Sequence, residues 1–238
     1  MKGALLRWLP GLATLLLVAL FVRLGLWQQH KAEAKQVLQA QLEQRLAQPA
    51  VSALPELITD IEAWRYRSVQ LRGVYDTRYQ LMLDNQVHRQ QAGYHVITPL
   101  QLEGSAARLL VDRGWVAAPP DHATLPAVDT PAGPQQVSGY LWLPPQKFFA
   151  LAKPAAGWQA VWQNLDLQRY AGTVPYAVQP LVLRLDANSA GGGYLRDWPP
   201  PGERMEMHLS YAYQWYGFAV SLVAIYVVLR IRKAGKSK

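Results

Sequence analysis

The 238-residue chain contains no cysteine. Disulfides, thiolate-held metals and cysteine nucleophiles are therefore excluded, while the redox compartment stays unread, because a cysteine-free chain suits the periplasm without requiring it. Acidic residues are missing beside the basic ones at both ends. Lys2 and Arg7 precede the first apolar run and Arg230, Arg232, Lys233, Lys236 and Lys238 follow the last, with no Asp or Glu among either group. Subtracting these seven from the 24 Lys and Arg leaves 17 against 16 Asp and Glu. The pI of about 9.7 thus reflects the termini and carries no footprint for a phosphate backbone, which excludes nucleic acid as a partner. Also absent are G-x-S-x-G, H-E-x-x-H, P-loop and dinucleotide fingerprints, any paired-carboxylate motif and any internal repeat. Asp112, His122 and a serine would form a triad only through a geometry that spacing does not supply. An enzyme is not indicated.

Two long apolar runs are present. Residues 211–229 hold 19 uncharged positions, close to the roughly 20 that a helix needs to cross a bilayer core. Residues 8–22 hold 15 between Arg7 and Arg23, a length that also suits a signal peptide. The A-x-A at Ala32-Glu33-Ala34 lies too far downstream, beyond Arg23, His30 and Lys31, to be a good cleavage site. Leu24, Leu26 and Trp27 extend the apolar face, so a retained anchor over 8–27 is expected. The short basic flanks put both termini in the cytoplasm by the positive-inside rule. The expected division is a cytoplasmic N-terminus over 1–7, a first transmembrane helix over 8–27, a periplasmic β-rich domain over 28–210, a second transmembrane helix over 211–229 and a basic cytoplasmic tail over 230–238. The location is the inner membrane, with lipid as a partner.

Within the exported part, a polar, alanine- and glutamine-rich helical stretch runs to Gln48 and ends at Pro49. Period-two segments then predict strands over 65–75, 79–85, 93–102, 108–116, 136–143, 160–165 and 174–185. A short helix is expected over 167–171 with Asp166 as its N-cap, and a glycine- and proline-rich connector over 190–202 is either a flexible linker or an ordered loop. The fold class is a membrane protein with two transmembrane α-helices flanking a mainly antiparallel β (α+β) exported domain, as a sheet, sandwich or barrel.

Five histidines offer nitrogen ligands. His30, His88 and His122 sit in polar stretches and read as solvated surface, whereas alternation in GYHVITPL makes His95 a hydrogen-bonded sheet histidine. His208 stands three residues before Tyr211 and seven before Trp215, so a helix reaching that far puts all three on one face at the outer interface. Two readings stay open on spacing alone. The face holds a flat, apolar macrocycle with imidazole on its iron, or it is an interfacial histidine among aromatic-belt neighbours.

Three regions in order carry a family resemblance. Leu24-Gly25-Leu26-Trp27-Gln28, followed by Lys31 and Lys35, is similar to an L-G-x-W-Q opening, with Lys31 where Arg is usual. WRYRSVQLRGVY (64–75), GYHVITPL (93–100) and LLVDRGWV (109–116) are similar to three central strand motifs. His208, Tyr211, Ala212 and Trp215 match H-x-x-Y-A-x-x-W, with Glu206-Met207 in place of a frequent Asn-Asn. The chain resembles the surfeit locus protein 1 family of terminal-oxidase assembly factors over nearly its whole length. That resemblance implies a non-enzymatic role in maturing haem-copper oxidase, with haem a bound transiently and inserted into subunit I. It implies His208 as the ligand to haem iron, Tyr211 and Trp215 beside the ring, Trp27 completing the pocket, and haem-copper oxidase subunit I and the haem A synthesis machinery as partners. Arg113 would meet a haem propionate or a partner's carboxylate, or stand in a structural ion pair. A competing expectation is a membrane scaffold that holds subunit I without binding haem; a third, an anchored envelope hydrolase, requires a nucleophile motif that the sequence lacks.

Overall fold

Alternating apolar residues between positions 68 and 185 close a small barrel in the computed structural model of the chain, which describes residues 2–121, 124–146, 157–189, 191–192, 194–203 and 205–235. His122, Lys236 and Lys238 lie outside the described residues, as do the side chains of 2–7. The chain divides into two compact units, residues 43–198 and a helical unit of 1–42 with 199–238.

The first unit contains seven strands: β1 (Ser68–Tyr75), β2 (Leu81–His88), β3 (Gln91–Leu102), β4 (Arg108–Ala117), β5 (Pro134–Trp142), β6 (Val161–Trp162) and β7 (Val178–Leu185). They run in the order β1-β5-β7-β4-β3-β2-β6, and β3 also pairs with β1. One edge of β3 is therefore shared: its first half bonds β2, from His88↔Gln91 to Leu81↔Ile97, and its last residues bond β1, from Gly73↔Leu102 to Tyr75↔Leu100. The second pairing closes the ring β1-β5-β7-β4-β3 and leaves no open edge within it. Pairing is antiparallel throughout except for β4 with β7 and β2 with β6.

Period two fills the barrel. In β1, Val69, Leu71 and Tyr75 are buried while Gln70, Arg72 and Val74 are exposed, and the inward set packs with Leu100, Leu109, Val111, Val137, Leu141, Leu181, Leu183 and Leu185. Leu109–Val111 of β4 and Leu181–Leu183 of β7 are buried on both faces, each as a short apolar run. Their outer residues Leu110 and Val182 lie under Trp162, Leu165 and Tyr170, a cover that includes β6 and the short helix α3 (Leu167–Ala171). The Asp166 side chain accepts from the Gln168 and Arg169 amides, as expected of that cap. A second short helix, α2 (Ile61–Trp64), capped by Asp60 through the Ala63 amide, precedes β1 and delays its start to Ser68. The segment expected as a strand over 160–165 shrinks to the two residues of β6.

Arg113 corrects both expectations placed on it. It is wholly buried, out of reach of a propionate, and makes no ion pair among the described residues. At a bulge between β3 and β4, where His95↔Trp115 is followed by Ile97↔Asp112, Gly114 adopts φ +124° and Arg113 is held inside. Its Nε donates to the Gly191 carbonyl (3.0 Å), one terminal nitrogen to the Thr130 hydroxyl (2.7 Å) and the other to the Asp129 carbonyl (2.5 Å). Tyr75 and Tyr194 face its guanidinium from 5.0 Å each. The surroundings push the Tyr75 hydroxyl up to about 12, burial outweighing the pull of Arg113 and Arg196, so it stays neutral.

The described residues of the connector, 191–192 and 194–198, are held in place. Arg196 donates to the carbonyls of Arg113 (3.0 Å), Asp186 (2.9 Å), Ser189 (2.6 Å) and Gly192, Leu195 bridges Trp115, and the Trp198 indole donates to the Leu185 carbonyl. A linker of glycine and proline becomes a fixed strap because arginine supplies the donors that its carbonyls need.

Helix α1 (Lys2–Leu46) and helix α4 (Met205–Gly235) form the second unit. Both are long and apolar enough to cross a membrane, and their outward apolar residues are open, as at Leu15 (65%) and Val220 (69%), which suits lipid rather than water as solvent. The apolar stretch of α1 continues without a break into the polar stretch.

Arg113→Lys keeps the charge but loses the forked donor geometry, leaving buried carbonyls unpaired at about 1–3 kcal/mol. The expected outcome is a fall in melting temperature of several degrees in mild detergent, with Arg113→Ala falling further.

Candidate functional site

The Tyr-Ala-x-x-Trp segment and the L-G-x-W-Q segment meet on the facing sides of α4 and α1. Gly25 permits the approach: a Cβ there would run into the Tyr216 ring. Ala212 and Ala219 of α4 are buried (3% and 6%), as is Ala32 of α1 (2%), so small residues line the seam where the helices come closest. Phe21 packs on Trp215 (centroids 5.7 Å) and on Phe218 (6.0 Å).

Polar contacts centre on Gln28 and Gln29 of α1. His208 Nδ1 lies 2.7 Å from Gln28 Oε1, the Tyr216 hydroxyl donates to Gln29 Oε1 (3.1 Å) and Gln29 Nε2 donates to Glu33 (3.1 Å). A turn further along α1, Lys35 donates to the Glu203 carbonyl and Gln39 accepts from the Gly202 amide (3.2 Å), fixing the entry to α4.

The second helix does reach His208, since it begins at Met205. His208 is half-buried, and its Nε2 makes no hydrogen bond among the described residues. Trp215 is half-buried against Phe21, whereas Tyr211 is 44% exposed. Trp27, 52% exposed, has its ring against Lys31 Nζ (5.9 Å); its only aromatic or cationic contact among the described residues is that one, and it stacks on neither Trp215 nor Tyr211. The structure thus brings His208 and Trp215 against α1 and leaves Tyr211 and Trp27 open to the surroundings. Two residues of this cluster were not expected, Gln28 and Phe21. Gln28 lies in the L-G-x-W-Q motif, but which α4 residue it meets depends on the register of two helices 180 positions apart in sequence, which no local pattern encodes.

The other histidines sit elsewhere. His95 is the hydrogen-bonded sheet histidine expected, its Nδ1 2.9 Å from the buried Asp112 carboxylate and its ring 5.4 Å from Trp198. His88 departs from the solvated reading: its side chain is 19% exposed and its ring lies 5.5 Å from Trp115. His30 is exposed. No three His, Cys, Asp or Glu residues among those described are grouped to hold a metal ion.

Gly25→Leu would overpack the seam, at about 1–3 kcal/mol. A photo-crosslinking side chain at position 29 is expected to capture α4 efficiently in the parent chain and to lose most of that yield when Gly25 is Leu; an unchanged yield would show that the helices tolerate the bulk.

Comparison with known proteins is consistent with this geometry. The chain is 23% identical over 227 residues to a SURF1-like protein of Rickettsia bellii, covering 92% of this chain and 90% of that one. It is 28% identical over 228 residues to a SURF1-like protein of Monosiga brevicollis, covering 89% and 84%. Against the cytochrome oxidase assembly protein SHY1 of Saccharomyces cerevisiae it is 26% identical over 167 residues, covering 66% of this chain and 43% of the yeast protein. The model of the SURF1 family matches residues 15–220, a span that takes in the facing stretches of both helices and the whole barrel, and the chain belongs to that family.

Proposed function

We propose that this chain acts in cytochrome oxidase assembly, as the carrier that binds haem a through His208 and aids its insertion into subunit I. The observation that carries the reading is a half-buried imidazole whose Nε2 makes no hydrogen bond among the described residues, two turns before Trp215 on one of a pair of apolar helices. A lone imidazole suits a metal that arrives already chelated: a porphyrin fills four positions of its iron and leaves an axial one to the protein. Haem a, when bound, would supply that iron together with a long isoprenoid tail, and His208 would hold the iron, with Trp215 and Tyr211 beside the ring and Trp27 at the margin.

Helix length supports a site at the membrane boundary. Twenty residues separate Trp8 from Gln28 and 22 separate His208 from Arg230, which at 1.5 Å per residue gives about 30 Å and about 33 Å, the thickness of a hydrocarbon core. Two helices counted independently from their basic ends arrive at one level. An apolar tail can stay in lipid there while the ring meets the protein. With both basic ends in the cytoplasm, that level is the outer face of the inner membrane, and the barrel unit is periplasmic. The partners on this reading are subunit I, the haem A synthesis machinery and lipid. The chain performs no turnover of its own.

The test is the visible spectrum of the protein purified in mild detergent after co-expression with haem A synthesis. The parent is expected to show the Soret and α bands of haem a, and His208→Ala to lose them at least tenfold. A parent without haem would favour a scaffold that holds subunit I, and equal spectra would remove His208 as the ligand. Orientation is checked by single cysteines placed in this cysteine-free chain: a membrane-impermeant thiol reagent should label position 72 in spheroplasts and leave position 234 unlabelled.

A further inference from the structure

Gln28 faces His208 through an oxygen. The contact is Oε1 to Nδ1 at 2.7 Å, and an amide oxygen only accepts, so Nδ1 carries the hydrogen and donates. A neutral imidazole has a single N–H. Its remaining lone pair must then sit on Nε2, the nitrogen without a hydrogen bond among the described residues. A histidine free in water favours the opposite tautomer, with the proton on Nε2 and the lone pair on Nδ1, close to the backbone. We propose that Gln28 is the positioning residue of this site, holding His208 in the Nδ1–H tautomer so that Nε2 is presented as a ligand. The ligand part rests on the haem reading above; the tautomer part does not.

Three features make Gln28 suited to the task. Gly25 lies one turn before it and lets α1 approach the Tyr216 ring, and the neighbouring Gln29 is tied separately to Tyr216 and Glu33, so α1 is fixed on both sides of the contact. The acceptor is uncharged, so it needs no counter-ion at the edge of an apolar medium, where a carboxylate would. Being neutral, it also orients the imidazole without the strong electron push that a carboxylate gives a metal-ligating histidine. A carrier that must release its cargo is served by orientation without added basicity.

The experiment uses the full chain, labelled with ¹⁵N-histidine, in detergent micelles and free of haem. Five histidines are present, and His208→Ala assigns the resonance of interest. Long-range ¹H–¹⁵N correlations should show the Nδ1–H pattern at His208 in the parent, a shift toward Nε2–H in Gln28→Ala, and restoration of the parent pattern in Gln28→Glu, which keeps an acceptor oxygen. After loading with haem a, Gln28→Ala should retain roughly ten- to a hundredfold less, the usual effect of removing such an outer partner. Gln28→Glu should retain haem with its reduction potential lowered. An Nε2–H pattern in the parent, or no change in Gln28→Ala, overturns the proposal. A parent that takes up no haem while its tautomer follows Gln28 upholds the positioning role and overturns the haem reading instead.

Discussion

A guanidinium buried without a carboxylate governs the barrel unit. Taking Arg113 out of water costs several kcal/mol before compensation, and no carboxylate among the described residues forms an ion pair with it, although Asp129 favours its charge from further away. What offsets the cost is a ring of acceptors drawn from separate segments: the Gly191 carbonyl from the strap, Asp129 and Thr130 from the stretch before β5, with Tyr75 and Tyr194 on its faces. The bulge that admits Arg113 needs Gly114 at positive φ, and a side chain at that position would also meet the Leu195 carbonyl at 2.7 Å. Barrel end, strap and bulge are one polar assembly, and each part is satisfied only if the others are in place.

The helical unit is governed by the opposite economy. Its contacts at His208 and Tyr216 are made by uncharged glutamines and lie where the apolar stretches end. Gln28 with His208 and Gln29 with Tyr216 are the kind of interhelical contact that specifies register once small residues allow close approach. Without a hydrophobic driving force between helices in lipid, such contacts and the Gly25 approach carry more of the specificity than they would in water. On the proposed reading register would matter to function, because a slip of one residue would turn Gln28 about 100° away from His208.

Much of this was legible in the sequence. The strand alternation from Val69 to Tyr75 and the Asp166 cap follow from local patterns, whereas the reach of α4 back to His208 stood only as a condition on the His208 face. The two-residue β6, α2 and the ordered strap do not follow from such patterns, because each depends on what packs against it: Trp162 is buried by Tyr170 and the β7 face, and the strap is held by Arg196. Arg113 looked like a strand-end charge because alternation has no symbol for a bulge, and the bulge is what turns it inward. At the site, His208 and Trp215 could be placed on a face from their spacing. Gln28 could not be paired with His208, since the pairing lies in the helix register rather than in either helix.

Holding and releasing a macrocycle are conflicting demands on the proposed carrier, and this geometry would meet them in one way. An enclosed haem site surrounds the ring and fixes its axial histidine through an outer partner, in some cases a carboxylate that raises the ligand's basicity. Here one imidazole is backed by a neutral amide, Trp215 packs on Phe21, and Tyr211 and Trp27 remain 44% and 52% exposed. An enclosed pocket would demand that the protein open before transfer. On the proposed carrier reading, an open face on two helices would let a client helix approach the ring while His208 held it, so the cargo would never need to be free in lipid or water between donor and recipient.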